Sequence, residues 1–252
     1  DLAMNDSPES LTLSGGVPGF FFSVLDGTNA EASRRIAAGA AADCWIIAER
    51  QTGGRGRRGR AWLSEPGNIY ISRLMQPGCP PARAAELSFV TALAVHDLAR
   101  GELGANADVA CKWPNDVLVR RRKLSGILLE SEGAGDWLVI GIGINVAHAP
   151  EGVEFPATCL MNEGGARSAR ELIAPLAAAF DARLQQWREG GFAAIRAAWR
   201  EVATGIGGPV RVRLHDREIH GRFDDIDETG ALLLTRADGG TERIAAGDVF
   251  FP

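Results

Sequence analysis

Lysine is almost absent from this chain. Of its 27 basic residues only Lys112 and Lys123 are lysine, and the rest are arginine. An ammonium is a compact point charge with movable donors, whereas a guanidinium is a rigid fork, so two lysines eleven positions apart in an arginine-writing chain mark one short stretch for attention. Cysteine is scarce too: Cys44, Cys79, Cys111 and Cys159 are widely spaced and form no C-x-x-C, which argues against a zinc ribbon and for free buried thiols in a reducing compartment. Long apolar runs are missing, with His96 and Asp97 interrupting the longest candidate, so no membrane span is expected. The acidic, polar start DLAMNDSPES is no signal peptide, and a cytoplasmic location follows as an expectation. Net positive charge is lacking as well; at −5 the chain is not expected to bind DNA or other nucleic acid through bulk electrostatics.

What is present describes a globular protein, 46% hydrophobic and 23% charged, long enough at 252 residues for a large domain plus a small one. Residues 1–19 are expected to be a flexible leader. Strands are predicted over Phe20–Leu25, Cys44–Glu49, Gly67–Met75 and Trp137–Val146, and helices from the Asp26–Asn29 turn to Ala38 and from Pro81 to about Arg100. Ser168-Ala-Arg-Glu171 is a capping box opening a helix that Gly190-Gly191 should break, with a further helix over Phe192–Val202. After the glycine-rich Thr204–Gly208 the pattern changes to five short strands separated by turns such as Asp238-Gly-Gly240. The domains are therefore drawn as 20–204 and, for a small β-barrel, 205–252.

The stretch around the lysines reads KWPNDVLVRRRKLSGILLE, from Lys112 to Glu130. Trp113-Pro114 forces an extended or turn conformation; Val117–Val119 and Leu124–Leu129 read as the arms of a hairpin with Arg120–Arg122 as its turn. Such a hairpin would bring Asp116 beside Lys123, either as a polar site or as a surface ion pair. A second stretch packs four glycines and four arginines into Gly53–Arg60, followed by Trp62. Glycine amides can converge on an oxyanion and arginines grip phosphate or carboxylate bidentately; the competing reading is a solvated basic or nucleic-acid-binding tract. Mutual repulsion of the arginines predicts a loop that stays open until an anion arrives. In Gly141-Ile-Gly-Ile-Asn145 the alternating glycines leave one strand face bare, for close sheet packing or for a flat ligand.

Four blocks, DGTN at 26–29, GRGRRGRAW at 54–62, KWPNDVLV…RKLSGILLE at 112–130 and GIGIN at 141–145, resemble those of the biotin–protein ligases in the same order. The resemblance runs from about Phe20 to the C-terminus. It implies an α/β (α+β) fold: a mixed-sheet catalytic domain of the class II aminoacyl-synthetase-like kind and an SH3-like C-terminal domain. With about nineteen residues before the first strand, the chain resembles the ligase-only type rather than members with an N-terminal winged helix. The implied chemistry uses ATP, Mg²⁺ and biotin to make biotinyl-5′-AMP, then passes biotin to a lysine of a biotin carboxyl carrier domain.

Site roles follow from the same resemblance. Lys123 and Arg57 would stabilise charge at the biotin carboxylate and α-phosphate, with Arg55, Gly54 and Gly56 closing over them. Thr28 and Gln51 would bond the ureido ring beside Asn29, and Gly126 and Gly141 would leave room for the bicycle. Arg58, Arg60, Trp62, Lys112, Asn115 and Asn145 fall to the nucleotide side, with phosphate or loop structure as the two readings for Arg58 and Arg60, and ring stacking or a lid as those for Trp62. Asp116 is a metal ligand, a proton acceptor or a structural strand-end residue. Gly27 departs from the family's serine in the first block. All four blocks precede Gly205, so adenylate formation is expected to need the larger domain alone. A lipoate–protein ligase of the same fold is the alternative; a non-enzymatic anion-binding or nucleic-acid-binding module is the remote one. An exposed sheet edge is open to a second copy of the chain or to the carrier domain.

Overall fold

The structure is a computed structural model and describes residues 7–39 and 41–252. Eight strands form one sheet: β1 (Glu9–Thr12), β2 (Pro18–Leu25), β3 (Cys44–Gln51), β4 (Ile69–Met75), β5 (Val109–Lys112), β6 (Asp116–Val119), β7 (Arg122–Glu132) and β8 (Trp137–Ile144). Their order is β1-β2-β3-β4-β8-β7-β6-β5. The β2–β3 pair is parallel and the other pairs antiparallel, so the sheet is mixed.

Both faces are covered, which explains why Cys44–Ala48 of β3, and β4 apart from Ser72 and Arg73, are apolar. Side chains alternate across a strand: Trp45, Ile47, Ile69, Ile71, Ile140, Ile142 and Ile144 enter the larger core, under α3 (Leu87–Leu103) and α4 (Ala169–Val202), while Cys44, Ile46, Ala48, Leu74 and Val139 pack beneath α1 (Thr28–Ala37). Glycine and serine interrupt the second set at Ser72, Gly126, Gly141 and Gly143, on the face and at the level where α1 begins. The apolar layer gives out there, and a cavity takes its place.

The Ser168–Glu171 capping box forms as expected. Gly191, at φ 63, is the one non-helical residue in α4 and bends it where the break was predicted. The helix expected from Pro81 splits into α2 (Pro81–Ala84) and α3. The C-terminal strands β9 (Pro209–Arg213), β10 (Glu218–Ile226), β11 (Leu232–Thr235), β12 (Thr241–Ile244) and β13 (Asp248–Phe250) make an antiparallel sheet in the order β12-β11-β10-β9-β13. One of its turns is keyed into the large domain. Gly230, at φ 83, packs on Phe89 and Phe192, and its carbonyl accepts the Trp113 indole N–H at 2.9 Å.

Three expectations are corrected. The flexible leader expected over residues 1–19 does not hold from Glu9 onward: β1 pairs with β2 from Glu9↔Phe21 to Thr12↔Pro18, and the first six residues lie outside the described ones. Strand β5 was not anticipated. Cys79 is only half-buried, whereas Cys44, Cys111 and Cys159 are buried; all four are free thiols.

Candidate functional site

The motif hairpin is built from three strands. Trp113-Pro114, joined by a cis peptide bond, turns β5 into β6. A two-residue turn then joins β6 to β7, with Arg120 and Arg121 both at positive φ, 49 and 63. Arg122, expected in the turn, already belongs to β7. Arg120 and Arg122 fold back on the buried carboxylate of Glu163, at 3.6 and 2.6 Å. A bulge between Val117 and Leu118 shifts the register so that Leu118 faces Lys123, and the Lys123 ammonium comes to 2.8 Å from Asp116 Oδ1. That oxygen is buried and outside hydrogen-bonding geometry. The Lys123 backbone is stitched on its other side to the 156–158 segment, its N–H donating to Pro156 O at 2.7 Å and its carbonyl accepting from Thr158 N at 2.9 Å. Asn145 holds that segment through Nδ2 to Thr158 O at 3.0 Å.

These strands floor a cavity of about 660 Å³. Gly126 and Gly143 lie directly opposite each other on β7 and β8. The Trp62 indole rests on this bare patch: a Cβ at Gly143 would fall 2.5 Å from the ring, and one at Gly126 3.0 Å from it. A Cβ on Gly141 would fall 2.5 Å from Asn29 Oδ1, so that glycine makes room for the asparagine amide rather than for open cavity.

One end of the cavity presents neutral hydrogen-bonding side chains, backed by the Glu130 carboxylate. Gln51 Oε1 accepts from the Thr28 backbone N–H (2.8 Å) and hydroxyl (3.2 Å), and Gln51 Nε2 donates to Ser64 Oγ (2.9 Å). The buried Ser72 hydroxyl lies 2.7 Å from Thr28 Oγ1 and 2.6 Å from Asn29 Oδ1, and Asn29 Nδ2 donates to Glu130 Oε2 at 2.7 Å. Gly27, at φ −173, is the N-cap of α1; Asp26 is paired with Arg34 instead of capping.

The other end is cationic. Lys112 is buried with its ammonium 4.1 Å from the Phe155 ring centre, and burial pushes its pKa down to about 8, against the pull of Asp116. Arg57 is also lowered by burial. Its Nη1 donates to Asn115 Oδ1 at 3.2 Å and Gly247 O at 3.3 Å, and Asn115 is anchored in turn on Ile127 O. Gly56 and Arg60 close the arginine loop on itself through Gly56 N to Arg60 O at 2.7 Å. Arg55 is exposed and 3.9 Å from Glu130.

Gly27, Thr28, Asn29, Gln51, Arg55, Gly56, Arg57, Arg60, Trp62, Lys112, Asn115, Asp116, Lys123, Gly126, Gly141 and Asn145 all line this one cavity. Gly54 and Arg58 do not. A Cβ at Gly54 would fall 2.5 Å from Ser64 Oγ, so Gly54 serves packing behind the loop, and Arg58 turns away, at φ 57, to an ion pair with Asp248. Two of the loop's arginines, Arg58 and Arg60, pair with Asp248 of β13. Sequence reasoning also missed Tyr70, Leu128, Gly143, Phe155 and Asp248 as lining residues. Gly143 and Leu128 had a signal, since they share a strand face with Gly141 and Gly126. Asp248 had none among 32 acidic residues.

Residues 25–146 match the biotin/lipoate A/B protein ligase family, and residues 205–251 match the biotin protein ligase C-terminal domain. The chain is 41% identical to the biotin–[acetyl-CoA-carboxylase] ligase of Paracoccus denitrificans over 90% of this chain and 97% of that protein. The chain belongs to the biotin protein ligase family. It is 33% identical to the bifunctional ligase/repressor of Bacillus subtilis, over 81% of this chain and 65% of the relative. The biotin protein ligase from Aquifex aeolicus in complex with biotin and ATP superposes with a TM-score of 0.79 at 27% identity, covering 93% of this chain and 99% of that one. All four sequence blocks fall inside the first matched span, so the family match and the cavity rest on the same residues. Among the described residues no helix is long and apolar enough to cross a membrane.

Proposed function

We propose that this protein activates biotin with ATP to biotinyl-5′-AMP and transfers the biotinyl group to a lysine of a biotin carboxyl carrier domain. The observation that carries the reading is one cavity with two unlike ends. A neutral hydrogen-bonding end at Thr28, Asn29 and Gln51 suits a ureido ring, and a cationic end at Lys112, Lys123, Arg57 and Arg60 suits a carboxylate beside phosphates. Its volume, about 660 Å³, is in the range for a ligand of adenylate size.

In the first step a biotin carboxylate oxygen attacks the α-phosphorus, and the bond to the departing pyrophosphate breaks. Two anions must meet, so Lys123 and Arg57 act by screening them and by stabilising the charge that builds at the α-phosphate. Trp62 lies over Gly126 and Gly143 and covers the bicycle from water; its buried Nε1 has no partner in the protein and is a donor for the ligand. In the second step the carrier lysine amine attacks the carbonyl, the amide bond forms and AMP leaves. Asp116, beside Lys123, is placed to take the proton that the amine loses. The outer edge of β1 is where a carrier domain or a second copy of the chain would pair.

Among the described residues no group of three or more His, Cys, Asp or Glu could cage a metal. That donor set suits magnesium carried on ATP phosphates and water, with Asp116 Oδ1 as the protein oxygen to meet it. There it would neutralise charge on the departing pyrophosphate.

Isotope exchange between ATP and pyrophosphate, with biotin and lipoate supplied in turn, tests the proposal. Exchange should require biotin. Lys123→Arg should lower it roughly a hundredfold while the fold persists, because a fork cannot replace a point charge in contact with Asp116. Lipoate-dependent exchange would transfer the assignment to the lipoate branch of the family.

A further inference from the structure

We propose that Asp248, on the last strand of the C-terminal domain, is a positioning residue for the adenylation step: it latches the arginine loop so that Arg57 is held over the cavity. The inference deepens the ligase reading and rests on it for the loop's task, but not for the latch itself.

Asp248 is 6% exposed. Its carboxylate lies 3.2 Å from Arg58 Nη1 and 2.9 Å from Arg60 Nη2, and among the described residues it is the acid with which these two arginines pair. It is fixed from its own side as well. Asp248 pairs across strands with Arg213, whose guanidinium lies 3.4 Å from the carboxylate and also grips Glu154. The preceding carbonyl, of Gly247, accepts from Arg57 Nη1 at 3.3 Å. Burial alone would raise the Asp248 pKa, and the surrounding arginines, Arg60 first, hold it below the usual carboxylate range, so the latch is charged at neutral pH.

Four arginines within six residues repel one another, and glycines at 53, 54, 56 and 59 give the loop little stiffness. A fixed buried anion is the kind of partner that holds such a loop closed without occupying the cavity. Arg58 and Arg60 are drawn to Asp248, and Arg57 between its Asn115 and Gly247 contacts is left aimed at the ligand. Asp248 acts through other residues and is not itself catalytic. The consequence is that the small domain takes part in the first half-reaction, contrary to the expectation from motif placement.

The test uses the full chain and the variant Asp248→Asn, isosteric and uncharged. In the ligand-free protein, trypsin should cut between Arg55 and Arg60 at least tenfold faster in the variant, with cutting elsewhere unchanged. In biotin-dependent exchange the KM for ATP should rise at least tenfold, more than kcat falls. A second variant, Arg58→Gln, changes a partly exposed side chain that pairs with Asp248 but does not line the cavity, leaves the trypsin sites at Arg55 and Arg57 intact, and keeps the test decisive if Asp248→Asn folds poorly. It should reproduce the KM rise, and adding Asp248→Asn to it should cost little more. Wild-type loop cleavage and KM in either variant, or losses that simply multiply when the variants are combined, would overturn the latch. The loop readout needs no substrate, so it can fail while biotin-dependent exchange stands, and the reverse.

Discussion

Lys112 carries an electrostatic cost imposed by its burial. Its pKa stands at about 8 against an ordinary value of 10.5, with burial as the main cause. The folded protein therefore binds this proton less tightly than the unfolded chain does. Stability rises as pH climbs from about 8 towards 10.5, and the penalty is fully present below 8, on the order of 3 kcal/mol. Phosphates placed against the ammonium would raise the folded pKa again. ATP binding should then take up a fraction of a proton near pH 8.5, which calorimetry in buffers of different ionisation enthalpy measures directly. Proton-neutral binding at that pH would remove Lys112 from the nucleotide end. Gly27 offers a second test. Its φ of −173 is extended backbone open to any residue, and a Cβ there meets Ala30 Cβ at 3.7 Å and Gln51 Oε1 at 3.9 Å, ordinary contacts. Gly27→Ser should hold or tighten biotin affinity, by about 0.5–1.5 kcal/mol if the hydroxyl finds the ligand. A marked loss in titration would show that the extra atoms obstruct the site. At this scale, the residues legible in the sequence were those whose type is unusual in its surroundings: two lysines, alternating glycines, clustered arginines. Ser72 and Asp248 are ordinary residues made consequential by distant partners, and nothing local marks them.

Elements were legible where apolar runs were long or turn chemistry was explicit. All five C-terminal strands were anticipated because Gly, Asp and Thr punctuate them. β1 escaped because Glu9-Ser-Leu-Thr12 is polar and pairs only as an edge, and β5 because four residues running into Trp-Pro are too few to show a period. The Asp227–Ala231 turn shows what its turn residues do. Asp227 Oδ1 accepts the backbone N–H groups of Thr229 (2.8 Å) and Ala231 (2.9 Å) and the Thr229 hydroxyl (2.7 Å), and Oδ2 pairs with Arg243. Burial works to raise its pKa, but these donors outweigh it and bring it to about 2. The sign is that of a depressed acid: its contribution, about 2 kcal/mol, is present above the unfolded value near 4 and is lost as pH falls towards 2. Because this turn carries Gly230, which receives the Trp113 indole, its loss also loosens the motif hairpin. Asp227→Asn should lower stability by about 1–3 kcal/mol at pH 7 and flatten the pH dependence between 4 and 2, as read from denaturant midpoints. An unchanged acid limb in the variant would mean that the turn does not depend on the charge.

At the scale of the whole molecule, motif placement suggested that adenylate formation needs the larger domain alone, while in the packing the two domains share one core. The composition change near Gly205 is visible in sequence, but the contacts that cross it are not, because they join residues from distant parts of the chain. The larger core is continuous: Phe89, Trp113, Phe192 and Trp199 of the large domain belong to the same buried cluster as Val210, Val212, Phe223 and Ile226 of the small one. Polar ties cross the same boundary, among them Trp113 to Gly230, Arg196 to the Ile226 carbonyl, and Arg60 to Asp248. A barrel of fewer than 50 residues buries too small a share of its surface to be robust by itself. Opening it would expose Phe89 and Trp199 on the other side. Neither part gains by separating first, so the protein should unfold in one cooperative transition. Scanning calorimetry of the full chain should give a single endotherm with calorimetric and van't Hoff enthalpies in a ratio of about 1. Near-ultraviolet signals from the tryptophans should fall at the same midpoint as the far-ultraviolet strand signal. Biotin with ATP should move the whole transition upward without splitting it, since ligand bound at the cavity stabilises both halves through shared core and latch. Two resolved endotherms, the lower one abolished by deleting residues 205–252, would show that the barrel is an independent module and that the contacts across the boundary are weak.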